Sequence, residues 1–190
     1  MSQASLFPSA SNPLLDGEQG TVSYEPGFID DATAASWFAV LRDTMHWKSE
    51  RRQMYDREVD VPRLRANFSS GNDLPGVLTD ALSRVTDHVA APFNSIGLNL
   101  YRDHNDSVAP HNDTLDLLVP GQPIALLSLG ATRRLIIRQK APPHRRLQVD
   151  MHAGSLMVMS FATQLHYDHG IPKERVATGA RISLAFRVHR

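Results

Sequence analysis

The stretch RISLAFRV, residues 181–188, alternates strictly between two kinds of side chain. In an extended chain, residues two apart face the same side. Arg181, Ser183, Ala185 and Arg187 therefore share one face, and Ile182, Leu184, Phe186 and Val188 share the other. The apolar face belongs against a core. The other face sets two arginines around two small residues. Burying two guanidinium groups in a sheet wall is costly unless anions pair with them. The small residues leave room for such a partner. A guanidinium fork suits a carboxylate in bidentate geometry, so a dicarboxylate ligand fits this face.

The same period of two governs the chain from residue 96 onward. Strands are expected near 96–102, 124–129, 133–140, 145–150, 155–160 and 181–188, punctuated by Gly, Pro, Asn and Asp. On the first of these, Asn99 and Tyr101 share a face and offer an amide and a phenol to the same ligand. Upstream the period is helical. Trp37, Phe38, Leu41 and Met45 predict a helix from Asp31 to Met45, capped by Asp30 or Asp31. Leu78, Leu82, Val85 and Val89 predict a second from Leu74 to Val89, with Asn72 or Asp73 capping it and Pro75 in its first turn. Two helices followed by many short strands give an α+β protein, its sheets forming a sandwich or barrel with the helices on one outer face. Residues 1–20 are expected to be an irregular arm. Residues 21–190 are expected to form one domain, with helices and a substrate-recognition lid in 21–95 and the sheet core in 96–190.

A chain of 190 residues can bury a real core without cross-links. It has no cysteine, which excludes a disulfide framework, a thiolate zinc site and a thiol nucleophile, and suits the reducing cytoplasm where the protein is expected to act. Neither a signal peptide nor a membrane span is expected. Net charge is zero but uneven: residues 1–50 hold seven acidic and two basic residues, so the basic excess lies downstream. The densest patch, Arg133, Arg134, Arg138, Lys140, Arg145 and Arg146, suits either phosphates or a solvated hairpin surface.

A metal pair stands in HNDTLDLL, residues 111–118. If residues 110–115 are extended, the His111 imidazole and the Asp113 carboxylate enter the same space. Non-haem iron(II) is held by two histidines and one carboxylate on one side of its coordination sphere. The second histidine must come from elsewhere: His144, His152, His166 or His169. His169 sits at a turn in DHGIPK, and His166 is its main rival, since His166-x-x-His169 would also suit zinc.

Taken together, NLYRDHNDSVAPHND, SLGATRR, GSLMVMS, HGIPK and RISLAFR resemble, in order, the motifs of the AlkB family of iron(II)- and 2-oxoglutarate-dependent dioxygenases, over about residues 50–190. The resemblance implies a double-stranded β-helix, or jelly-roll, with supporting helices on one face. It implies His111, Asp113 and His169 as iron ligands. Arg181 would pair with the distal carboxylate of 2-oxoglutarate, helped by Tyr101, and Asn99 would contact the carboxylate next to the metal. Arg187 would lie near that carboxylate and Asp113. Ser183 stands where many relatives have asparagine. The implied cofactors are Fe(II), the cosubstrate 2-oxoglutarate and O2, with ascorbate as reductant in vitro.

The implied activity is oxidative dealkylation of alkylated bases in DNA, or in RNA, by a monomer that does not engage membranes; aldehyde, succinate and carbon dioxide are released. Hydroxylation of a small molecule or protein side chain is the alternative, and a non-catalytic ligand-binding jelly-roll is a third. A base must leave its stack to reach the metal. Met54 and Tyr55 are candidates to wedge or stack, Arg51, Arg52 and Arg57 to hold phosphates, Arg65 to bind substrate and Phe68 to stack on the base, with an ordinary amphipathic hairpin as the alternative for this region; Arg134 is a candidate to contact substrate or phosphate, or else a strand-surface residue. Asn67–Phe68 replaces an aromatic pair common in relatives, and Pro110 replaces a common tryptophan. If the strand continues past Asp113, Leu115 faces the substrate pocket, where many base-dealkylating relatives carry an acidic residue.

Overall fold

The computed structural model describes residues 12–54, 57–69 and 74–190. In chain order the strands are β1 (Asn12–Leu15), β2 (Val22–Glu25), β3 (Lys48–Met54), β4 (Arg57–Ser69), β5 (Ser95–Tyr101) and β6 (Val108–His111), followed by β7 (Ile124–Gly130), β8 (Arg133–Gln139), β9 (Arg146–Met151), β10 (Leu156–Met159), β11 (Tyr167–Ile171) and β12 (Arg181–Arg187). The helices are α1 (Asp31–Thr44), α2 (Gly76–Val89) and α3 (Phe161–His166).

Both expected helices form; α1 takes the expected cap, while α2 starts at Gly76, two residues later than expected, with Pro75 at its N-cap position and no side-chain cap. The Asp30 carboxylate accepts the Thr33 backbone N–H at 2.8 Å and its hydroxyl at 2.7 Å, which caps α1. Pro75 stands just before α2, where a missing N–H costs nothing. Asn72 and Asp73 lie outside the described residues. Ala90 ends α2 in the left-handed region, at φ 55°.

The strands make two antiparallel sheets. One has eight strands in the order β1-β2-β10-β7-β12-β5-β4-β3, and the other has four in the order β6-β11-β8-β9. This is a jelly-roll core of two open sheets; no closed barrel forms among the described residues. The alternation of β12 divides the interior. Ile182, Leu184 and Phe186 pack with Trp37, Leu41, Leu78 and Val85 in a core between the large sheet and the helices. Ala185 packs with Tyr101, Leu126, Leu135, Ile137 and Met157 in a second core between the sheets. Each fully buried Leu or Phe contributes about 1.5–3 kcal/mol, so this register is strongly held.

Two expectations need correction. Asn12–Leu15 is no irregular arm but pairs with β2, its register slipping between Pro13 and Leu15. Proline is tolerated there because β1 is an edge strand. Strands β3 and β4 pair antiparallel and extend the large sheet, which agrees with the hairpin alternative for this region. Finally, β6 ends at His111, and Leu115 opens a single 3-10 turn, Leu115–Leu117. The strand-face reasoning that aimed Leu115 into a pocket therefore does not apply.

Candidate metal and carboxylate site

The site is built where the small sheet meets β5 and β12 of the large one. His169 on β11 pairs directly across from His111 on β6, and their rings lie 4.6 Å apart. Gly170 makes this approach feasible: a Cβ there would sit 2.8 Å from the Val108 carbonyl oxygen and 3.0 Å from the Pro110 nitrogen. Asp113 follows two residues after β6 ends. Ligand atoms of His111, Asp113 and His169 all lie within 4.8 Å of one another. The rival His166 is exposed at the end of α3 and stands outside this group.

Two of the three candidate ligands are oriented from behind. His111 Nδ1 lies 2.9 Å from the Ala109 carbonyl oxygen. A carbonyl can only accept, so Nδ1 carries the proton and the Nε2 lone pair is left for a metal. Arg187 donates from Nε and Nη2 to the two Asp113 oxygens, both at 2.9 Å. The Asp113 backbone N–H donates to Gln164 Oε1 at 3.1 Å, and Asn112 Nδ2 donates to the Tyr167 carbonyl.

Electrostatics keep the triad ready for a cation. Burial pushes the Asp113 carboxyl up, but Arg187 and the two imidazoles outweigh it and hold it below the usual carboxylate range. Burial lowers His111 against the pull of the Ala109 carbonyl. Burial, then the neighbouring His111, pushes His169 down to about 4. Both imidazoles are thus neutral at pH 7, the form that binds metal.

Beside the triad lies a narrow pocket. Asn99, Tyr101, His111, His169, Arg181, Ser183 and Arg187 all line it, with Leu126, Leu135 and Ala185 as apolar wall. Arg181 is 1% exposed, and burial pushes its guanidinium down to about 10, so it remains charged at pH 7. Its Nε donates to Ser128 Oγ at 2.9 Å, while Nη1 and Nη2 are buried with no partner. Tyr101 holds its ring 5.5 Å from this guanidinium. A buried cation with two orphaned donors is a costly arrangement that a carboxylate would satisfy. The donor set of two imidazoles and a carboxylate suits iron(II) with positions left open for a chelating ligand. The residues fit both groups.

Two wider cavities open on either side of Asp113. One, of about 410 Å³, is lined by Arg65, Asn67, Phe68, Leu117 and His189. The other, of about 720 Å³, is lined by Val61, Pro62, Arg63 and residues 107–112. They share Arg65, Asn99, Asp113, Thr114 and Arg187. Arg65 and Phe68 thus stand beside the triad. Leu115 lines neither cavity, and Leu117 takes the place expected of it. Met54 ends β3, and Tyr55 lies outside the described residues. Arg134 is remote from these cavities and reaches Asp150 at 3.2 Å.

The basic patch is mostly engaged. Arg133 is fully buried and donates to the carbonyls of Asp103, Asp106 and Pro172. Arg138 forks onto Asp168, and Lys140 caps the carbonyls of Gln164 and Leu165. The sequence reading also missed Ser128 and Gln164. Ser128 faces Ser183 across the β7–β12 ladder, which a register argument can find; Gln164 carries no sequence signal at all.

Comparison with known proteins places this geometry. The signature of the 2OG-Fe(II) oxygenase superfamily matches residues 69–187. The chain is 32% identical over 185 residues to alpha-ketoglutarate-dependent dioxygenase alkB homolog 3 of Bos taurus, covering 85% of this chain and 64% of that protein. For the Homo sapiens homolog 3 the identity is 31% with the same coverage. It is 32% identical over 157 residues to DNA oxidative demethylase ALKBH2 of Homo sapiens, covering 72% of this chain and 60% of that protein. The chain spans just under two thirds of the length of these relatives.

Proposed function

The chain belongs to the 2OG-Fe(II) oxygenase superfamily, and from that premise we propose that it is an AlkB-type dioxygenase that oxidatively dealkylates bases in DNA or RNA. The observation that carries this reading is the buried Arg181 guanidinium, with two unpartnered donors, in the same pocket as the His111–Asp113–His169 triad.

His111, Asp113 and His169 would hold Fe(II). Arg181 and Tyr101 would hold the far carboxylate of 2-oxoglutarate, with Asn99, Ser183 and Arg187 lining its path to the metal. When bound, Fe(II), 2-oxoglutarate and O2 supply the oxidising power: the cosubstrate leaves as succinate and carbon dioxide, and a substrate C–H bond gains a hydroxyl. On an N-alkyl group, that product releases an aldehyde and restores the base. The chain's own work is placement. Arg187 keeps the Asp113 carboxylate ionised and aimed, the Ala109 carbonyl fixes the His111 tautomer, and the apolar wall of Leu126, Leu135 and Ala185 keeps water from the cosubstrate pocket. Arg65, Asn67 and Phe68 stand where an extruded base would arrive, Phe68 offering a stacking surface and Arg65 a cation for phosphate. We read the protein as a monomer acting in the cytoplasm, with the lack of cysteine in keeping with a reducing compartment.

One observation favours the same chemistry on another substrate. Among the described residues, Asp113 is the sole carboxylate lining the two wide cavities, and Arg187 already engages it. The deciding experiment is a turnover screen with Fe(II), ascorbate and 2-oxoglutarate against methylated and etheno-base oligonucleotides, read by mass spectrometry. Succinate above the substrate-free background supports nucleic-acid dealkylation. 2-Oxoglutarate binding without such stimulation shifts the assignment to another substrate.

A further inference from the structure

We infer that Gln164 is a positioning residue that holds the carboxylate ligand in place, an inference resting on the metal reading above. The three candidate ligands are not fixed by the same means. His111 and His169 are set by the β6–β11 ladder, where they pair directly. Asp113 has no such support, because β6 ends at His111 and the next regular turn starts at Leu115. Something outside the ladder must fix it.

Two groups do so from different elements. Arg187 grips the carboxylate. Gln164 grips the backbone: its Oε1 accepts the Asp113 N–H at 3.1 Å, across 51 residues of sequence. Only an acceptor can meet a backbone N–H, so the amide orientation is settled by chemistry. Gln164 is fully buried, and its Nε2 has no partner. A buried amide with an orphaned donor costs stability, so its retention makes sense if the accepting end does a necessary task.

The element that carries Gln164 is itself pinned. At one end of α3, Ser160 Oγ accepts the Thr21 N–H at 2.9 Å, and Thr163 Oγ1 donates to the Thr21 carbonyl at 3.1 Å. At the other end, Lys140 Nζ lies 3.0 Å from both the Gln164 and Leu165 carbonyls. The Asn112 side chain adds a tie from the same loop to the Tyr167 carbonyl, two residues before His169. The short helix thus acts as a post between strands β10 and β11, and Gln164 transfers its position to the third ligand.

The test separates metal holding from mere folding. Co(II) is titrated into the metal-free chain and followed by visible absorption, with circular dichroism as the control. Gln164→Leu, which lacks the acceptor, should raise the Co(II) dissociation constant about tenfold or more, the usual cost of losing a group that orients a ligand. Gln164→Glu keeps an acceptor oxygen and should bind Co(II) within about threefold of the parent, well inside that loss. If Gln164→Leu does not fold, Gln164→Asn, whose amide is withdrawn by one methylene, should show the same weakening. Parent-like affinity in the acceptor-lacking variant, or equal weakening in Gln164→Glu, overturns the assignment. A parent protein that binds no Co(II) overturns the metal reading itself.

Discussion

Arg187 meets Asp113 through two parallel hydrogen bonds of 2.9 Å, one from Nε and one from Nη2. The carboxylate is held below its ordinary range by that contact despite its burial. Arg187→Met removes the fork and leaves a buried carboxylate whose protonation competes with metal. Metal affinity should fall about 10–100-fold. The pH below which metal is lost should also move upward, because Asp113 then titrates higher. Co(II) titrations between pH 5 and pH 8 check both; an unchanged pH profile would show that Arg187 does not tune the ligand.

Arg181 carries the opposite sign for stability. In the metal-free protein it is a buried cation with two orphaned donors. Replacing such a charge by a well-packed apolar group is often neutral or stabilising by about 1–4 kcal/mol. Arg181→Met should therefore keep or raise the thermal midpoint while 2-oxoglutarate affinity falls on the order of 100-fold, as for a truncated buried charge pair. Differential scanning calorimetry and isothermal titration read the two effects. A lower midpoint with intact cosubstrate affinity would assign Arg181 a structural role instead.

The imidazoles make the metal-free protein sensitive to acid. His169 titrates near 6.5 when unfolded and about 4 in the folded chain. Between those values the unfolded chain binds more protons, so stability rises with pH across this window and is fully regained above about pH 6.5. The loss on acidification should be on the order of 3 kcal/mol. Urea unfolding from pH 4 to pH 7 measures it, and His169→Gln should flatten the dependence. A parent curve that is already flat would mean the folded-state pKa is not depressed.

Gly170 sets the spacing of the two histidine strands. A methyl group there meets the Val108 carbonyl at 2.8 Å, and all three of its nearest neighbours are backbone atoms. Gly170→Ala should destabilise by about 1–3 kcal/mol and weaken metal binding, because β6 and β11 must separate. Gly179→Ala, with its nearest neighbour at 3.6 Å, is the control and should do neither.

Much of this site was legible because strands alternate. RISLAFRV placed Arg181, Ser183 and Arg187 on one face, and NLY placed Asn99 and Tyr101 on one face of their own strand, since side-chain direction in a strand follows from parity; the β5–β12 register sets the two groups opposite each other. Where the backbone leaves the ladder, parity fails. Leu115 was placed by extending β6 through Asp113, yet the chain turns first, so Leu117 lines the cavity instead. His169 could not be separated from His166 by spacing, because the choice depends on the β6–β11 register. Gln164 was invisible for the same reason: its contact spans 51 residues and arises only when α3 docks. The strands β1, β2, β3, β4 and β11 were missed because short length, proline or charge clusters mask their alternation, and pairing partners rather than local pattern hold them in the sheets.

In the proposed function, the triad and the Arg181 pocket together run an oxygenase reaction on an alkylated base. The most direct measurement follows succinate and aldehyde together by mass spectrometry, with Fe(II), ascorbate, 2-oxoglutarate and a methylated or etheno-base oligonucleotide, for the parent chain and His111→Ala. The parent should release aldehyde and succinate in matching amounts, and His111→Ala neither. Turnover retained in His111→Ala, or a parent chain that binds neither Fe(II) nor 2-oxoglutarate, would contradict it.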